Sequence, residues 1–270
     1  MLRAAHQLVD AEPRILLDAP IVQMVGPEAV ERIRAYATEL QTPSARGLRA
    51  HLVLRSRFAE DQLAAAVERG VRQLVILGAG LDTFAYRQPA WARALRIIEV
   101  DQPATQAGKR ERLSGAGIEI PPNVTLAPVD FETTPLQQAL ETNGVDLSSP
   151  VFFSWLGVTM YLTEVAVDAV LRTVTALARG SEIVFTFSQP PAADDEPADG
   201  YTPLLAQAAA AMGEPWLTYF DVPALEAKLR EFGFSDVVFL TQEAAHGRYF
   251  AGRTDGLFVP KRTSIVSAIV

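Results

Sequence analysis

The sequence contains no cysteine, which removes disulfide frameworks, thiolate zinc sites, iron–sulfur clusters and cysteine nucleophiles together. Histidine is nearly as scarce. His6, His51 and His246 lie far apart with no metal-ligand spacing, so each reads as structural or exposed, with His246 near enough to Arg248 to face an acceptor. Positive charge is short too: 24 Lys and Arg stand against 32 Asp and Glu, a formal net charge of −8 that excludes a basic nucleic-acid platform. No apolar run approaches the roughly 20 residues needed to cross a bilayer. The longest, 151–162, is broken by Ser154, Gly157 and Thr159 and reads as a buried strand with its exit loop. Asp10, Glu12, Arg14 and Asp18 interrupt the stretch where a signal peptide needs an apolar segment, so no export and a cytoplasmic location are expected.

What is present suffices for a core. The chain has 270 residues, 49% of them hydrophobic, and a mean hydropathy of +0.13, which fits one large α/β domain or a core with a cap. From Gly26 to about Gly70 the period is helical, with Val30, Ile33, Ala37 and Leu40 on one face. Residues 1–70 are therefore expected to form an N-terminal helical cap, and 71–270 the core. In the core, β-rich runs at 73–77, 95–100, 124–129, 151–155 and 183–187 alternate with amphipathic stretches, as in a parallel sheet covered by helices. The helix from Glu164 to about Ala178 has Thr163 as its N-cap. The last two β-like runs, 236–240 and 264–269, are separated by a glycine-rich interval without a helical crossover, which favours antiparallel pairing. Residues 189–200 join Pro, Gly and acidic residues in a solvated lid. With the helices expected near 204–212 and 224–232, this lid forms a 189–235 insertion on the acceptor side.

The chemistry centres on Val75 to Arg87, VILGAGLDTFAYR. Gly78, Ala79 and Gly80 follow a β-rich run and precede an expected helix, and such a turn lets a ligand approach backbone N–H groups. Asp101 closes the next strand, 21 residues after Gly80, where a carboxylate can accept both ribose hydroxyls. It can equally cap a helix, since Gln102-Pro103 follows. Nicotinamide dinucleotides and S-adenosylmethionine share this arrangement. The dinucleotide fingerprint wants a small residue where this chain has Thr83, and Asp82 would repel a pyrophosphate while favouring the ammonium of S-adenosylmethionine. Asp130-Phe131, after the third strand, offers an acceptor for an adenine amino group and an aromatic wall, or else a solvated loop acid.

The strings RSRFAEDQL, LGAGLDTFAYR, IIEVDQP, WLGVTMYLT and RYFAGRTDGL resemble the bacterial branch of the leucine carboxyl methyltransferase family, S-adenosylmethionine-dependent O-methyltransferases, over about residues 45–258. The resemblance implies a class I methyltransferase fold: a Rossmann-like seven-stranded sheet, its last strand antiparallel, under N-terminal helices. It also implies that Arg57 meets the methionine carboxylate, Gly78 and Gly80 the methionine and ribose, Asp101 the ribose, and Asp130 the adenine. Two departures stand out. Ser154-Trp155-Leu156 replaces the acid that eukaryotic members carry after the fourth strand, leaving Trp155 as a packing surface. Ile76 replaces the acid two positions before the first motif glycine.

Methyl transfer from a sulfonium is an in-line displacement that rests on positioning and water exclusion. A carboxylate acceptor, on a small molecule or peptide, needs no base but wants a cationic or hydrogen-bonding clamp. Arg87, Tyr161, Arg248 and Arg253 are the candidates. The rival readings are a nicotinamide-dependent oxidoreductase and a non-catalytic S-adenosylmethionine-binding protein. No metal, nucleic-acid partner or membrane association is expected, and the product would be S-adenosylhomocysteine.

Overall fold

The computed structural model describes residues 1–130, 134–190, 206, 209–211 and 213–270. Phe131, nearly all of the expected 189–200 lid and most of the expected 204–212 helix lie outside them.

Helices α1 (Leu2–Val9), α2 (Ala19–Val25), α3 (Pro27–Ala35) and α4 (Pro43–Glu68) come first. Then follow β1 (Gln73–Leu77), β2 (Arg96–Asp101), α5 (Pro103–Gly115), β3 (Val124–Pro128), α6 (Leu136–Thr142), β4 (Val151–Trp155), α7 (Glu164–Thr175) and β5 (Glu182–Thr186). The chain ends with α8 (Val222–Phe232), β6 (Asp236–Phe239) and β7 (Ile265–Ile269). The seven strands form one sheet in the order β3-β2-β1-β4-β5-β7-β6. The pairs among β1 to β5 are parallel, while β7 runs antiparallel to both β5 and β6. This is the class I methyltransferase topology.

The period-2 alternation of the strands sorts the core onto two faces. Val75, Leu77, Ile98, Val100, Phe153 and Phe185 pack with α6, α7 and α8. Leu74, Ile76, Ile97, Phe152 and Val184 face the other way, against Val53, Leu54, Phe58 and Leu63 of α4. Helix α4 is thus a layer of the core, while Ala4, Ala5, Ile21 and Ile33 of α1 to α3 form a small cluster of their own. Thr163 caps α7 as expected, its Oγ1 accepting the Ala166 N–H at 3.3 Å.

One local expectation is corrected. No α-helix follows the glycine loop: Phe84–Tyr86 and Ala90–Ala92 are single 3-10 turns, because Asp82 turns back to accept the Phe84 N–H at 2.8 Å and Pro89 sets the next turn. Residues 1–25, which precede the helical period read from Gly26 onward, hold α1 and α2, the latter started by Asp18 as N-cap with Pro20 in its first turn.

Candidate functional site

Strand order fixes where a ligand can sit. From β1 the chain moves outward to β2 and β3, then crosses back to β4 on the other side of β1, so the loops leaving β1 and β4 diverge and open a crevice at the carboxyl ends of the strands. The two loops meet at Gly78. Its φ is +64°, and a Cβ there would stand 2.4 Å from Val158 Cγ2, so only glycine fits.

The N–H groups of the glycine loop are already spoken for. Gly78 and Ala79 both donate to the Val100 carbonyl, at 2.9 and 3.1 Å, and Gly80 donates to Asp101 Oδ2 at 2.6 Å. The other Asp101 oxygen accepts the Gln102 N–H at 2.7 Å. Two backbone donors hold this carboxylate rigid and partly exposed at the end of β2, with its remaining lone pairs available. Gln102 is also the N-cap of α5, with Pro103 as its first residue. Asp101 therefore does not cap α5: its carboxylate serves the turn between β1 and β2 and still presents acceptors.

Arg57 is not brought to this crevice. Residues two apart on a helix point about 200° away from each other, and in RSRF it is Arg55 that faces the β4 exit loop. A Cβ on Gly157 would meet the Arg55 guanidinium at 2.6 Å, so the plane of that side chain lies against the Gly157 backbone. Burial and the neighbouring Arg3 push the Arg55 pKa down to about 10, while Tyr161 and Asp82 pull the other way; Arg55 remains a cation at neutral pH. His51, one turn earlier on the same face, is pushed down to about 3 by burial and by Arg55, and is neutral. Asp82 and Tyr161 are thus within electrostatic reach of Arg55, and Tyr161 is the exposed residue of the turn Thr159–Tyr161, whose first two residues are buried.

Helix α1 is tied to the glycine loop. Arg3 donates to the Leu81 carbonyl at 2.7 Å and pairs with Asp18 at 3.1 Å. Asp18 also accepts the Thr83 hydroxyl proton at 2.6 Å. Arg3, His51 and Arg55 escape a reading of the sequence; the signal available was the four-residue spacing of His51 and Arg55, which places them on one face of a helix.

The other sequence-derived residues fall elsewhere or are engaged. Arg87 forks onto Glu60 and lies 3.5 Å from Asp18. Burial alone would lower its pKa, but these partners outweigh burial and raise it, so Arg87 is a strut between the glycine loop and α4. Trp155 is 2% exposed, its ring tilted on Phe185 at 6.0 Å, within the core. Asp130 sits partly buried just past β3. Arg57, Arg248 and Arg253 are brought together, but in a separate cleft of about 540 Å³ between α4, residues 11–15 and residues 247–255. Among the described residues no group of three or more His, Asp or Glu is arranged to hold a metal, and no described helix is long and apolar enough to cross a membrane.

Comparison with known proteins supplies a context for this geometry. A family model described as leucine carboxyl methyltransferase matches residues 1–175. A Bacillus subtilis (strain 168) protein named as an S-adenosyl-L-methionine-dependent methyltransferase, YktD, is 32% identical over 204 residues, covering 75% of this chain and 67% of that protein. A Mycobacterium sp. (strain KMS) protein of the same description is 34% identical over 197 residues, covering 69% and 64%. The chain therefore spans about two thirds of the length of the curated relatives it matches. Among solved structures, a methyltransferase from Thermobifida fusca aligns with a TM-score of 0.57 at 22% identity over 96% of this chain and 94% of that one, which speaks to the fold.

Proposed function

This chain belongs to the leucine carboxyl methyltransferase family, whose curated relatives are named S-adenosyl-L-methionine-dependent methyltransferases, and from that premise we propose that it methylates the oxygen of a carboxylate on a small molecule or peptide. The observation that carries the cofactor side is Arg55, packed against the Gly157 backbone in the β4 exit loop and within electrostatic reach of Asp82 in the glycine loop. A cation and an anion that act on each other complement the zwitterionic end of an amino acid: Arg55 takes the carboxylate and Asp82 the ammonium. Asp101, held by two backbone N–H groups, accepts the ribose hydroxyls, and Asp130, just past the neighbouring strand β3, is assigned the adenine edge.

The same geometry argues against a dinucleotide. A pyrophosphate needs unengaged loop N–H groups and a helix N-terminus, whereas the N–H groups of Gly78, Ala79 and Gly80 are satisfied internally and only 3-10 turns follow.

When bound, S-adenosylmethionine supplies an electrophilic methyl group on a sulfonium. The protein's part is to orient and to exclude water. Helix α1, tied to the glycine loop through Arg3 and Asp18, covers the crevice. A carboxylate acceptor is ionised at neutral pH and asks for a donor at the rim, for which the exposed Tyr161 hydroxyl is available, since Arg87 is committed to Glu60. Neutral His51 beside Arg55 adds no competing charge.

Thermal melting tests the cofactor half: S-adenosylhomocysteine should raise the melting temperature and nicotinamide dinucleotides should not. Transfer of a labelled methyl group to a panel of carboxylic acids and phenols tests the other half. Label released as methanol by mild alkali supports an ester; alkali-stable label on phenols alone would overturn the carboxylate assignment.

A further inference from the structure

The motif RYFAGRTDGL plays no part in the crevice, yet the fold spends an unusual structure on it. A single helical turn, Gln242–Ala245, runs into a π-helix at His246–Phe250, a rare winding that concentrates at functional sites. It delivers Arg248 and Tyr249 to the face of α4 that carries Arg57 and Asp61. We propose that the cleft so formed is a second binding site, for a small monocarboxylate, distinct from the crevice at the carboxyl ends of the strands.

Four arginines line the cleft, and two are committed to close partners. Arg14 holds Glu12 and the carbonyls of His6 and Asp10. Arg253 forks onto Asp255 and donates to the carbonyls of Ala11 and Pro13. Arg57 and Arg248 differ. Each side chain is 45% exposed, and they share one counter-ion: Arg57 lies 2.8 Å from Asp61 Oδ1 and Arg248 3.5 Å from Asp61 Oδ2. Asp61 also accepts the Tyr249 hydroxyl at 2.8 Å. The Arg248 guanidinium rests over the rings of Tyr249 and Phe58, at 5.1 and 5.7 Å, which restrains it at the wall of the cleft. Glu12, Asp61 and Asp255 balance three of the four cations, so the lining carries one positive charge in surplus. A single carboxylate cancels that surplus and fits the guanidinium fork in two-point geometry. A phosphate dianion would exceed it, with Asp61 close by to repel the second charge. Pro13, Ile15 and the Tyr249 ring line the space for an apolar body.

Isothermal titration of the full chain with benzoate, benzamide and inorganic phosphate tests this. Benzoate should bind saturably, about ten-fold or more tighter than benzamide and tighter than phosphate. Arg57→Gln and Arg248→Gln should each weaken benzoate several-fold and together abolish it, while S-adenosylhomocysteine affinity stays unchanged in every variant. Equal binding of benzoate and benzamide, preference for phosphate, indifference to Arg248→Gln, or displacement of benzoate by S-adenosylhomocysteine would each overturn the proposal. Benzoate binding without any S-adenosylhomocysteine binding would keep the cleft and sink the cofactor assignment instead.

Discussion

The two sides of α4 carry similar residues and present different chemistry. On one, Arg55 lies against the Gly157 backbone within electrostatic reach of Asp82 and Tyr161, in a corner closed by α1. On the other, Arg57 pairs with Asp61 one turn on and looks into a half-open cleft. Both arginines belong to one tripeptide, RSR. What separates them is helical phase and, beyond it, which loop packs on each face: a tight β4 exit turn that glycine allows to approach, or a π-helix that leaves room. A charge held against backbone in a closed corner keeps its electrostatic leverage; one shared across a wet cleft is screened.

The strongest way to break the contrast is to remove what holds both sides together. Arg49, on the same helix, is fully buried; its Nη2 and Nε bind the two Asp10 oxygens at 2.7 and 2.8 Å, and His6 Nδ1 lies 2.7 Å from the same carboxylate. This pins α1 to α4 and sets residues 11–15 along the cleft. Arg49→Ala leaves a buried carboxylate without its cation and should cost about 3–5 kcal/mol in urea unfolding, loosening crevice and cleft alike. A loss under about 1 kcal/mol would show that α1 is held by its apolar contacts.

The contrast itself is tested by the pair. Arg55→Ala should weaken S-adenosylhomocysteine binding by about 1.5–3 kcal/mol, the range for hydrogen bonds to a charged group, whereas Arg57→Ala should change it less than two-fold. The reverse result would return the methionine carboxylate to Arg57.

Why this pair misled a reading of the sequence is physical. The strands announced themselves through short β-branched runs at regular intervals, and the seven-stranded order with its antiparallel last member follows that pattern closely, because the sheet is buried on both faces and local composition has to match. Gly78 and Asp101 were equally legible, since a loop that tight needs glycine and a strand end two residues before a helix needs an acceptor. Arg55 and Arg57 have the same chemistry, and nothing in their spacing alone tells which faces the sheet. The Arg57–Asp61 interval of four was the available hint, marking a pair along one exposed stripe. Arg248 and Arg253, separated from α4 by nearly two hundred residues, reach the cleft only through the path of 240–264 over the sheet face that α4 covers, which no local pattern encodes. The helix expected after β1 failed because Asp82 satisfies the backbone of the turn locally.

A subtler probe acts on the Arg55 side through its neighbour. Gly157 has φ +78°, so Gly157→Ala carries about 1–2 kcal/mol of backbone strain and drives its Cβ into the guanidinium. The far end of a flexible side chain can yield, so the fold should survive while Arg55 swings aside. S-adenosylhomocysteine should bind several-fold more weakly and benzoate as before. If cofactor affinity holds, the Arg55–Gly157 contact does not position the cation.

The smallest effect belongs to the rim of the cleft and is read by pH. Burial alone would raise the Asp255 pKa, but the Arg253 fork and the N–H groups of Ala11 and Leu257 hold it down to about 2. A carboxylate depressed on folding stabilises the native state above its unfolded pKa, and that contribution disappears as pH falls through its folded value. Wild type should therefore lose stability between about pH 4 and pH 2. Asp255→Asn keeps one oxygen for a backbone donor and gives up the charge, so its deficit, about 1 kcal/mol near neutrality, should shrink over the same window and vanish at its acid end. Because Ala11 begins the strip that walls the cleft, the same variant should weaken benzoate slightly and leave the crevice untouched. A deficit that persists at pH 2 would mean that the amide disturbs packing and that the Arg253 pair contributes nothing measurable.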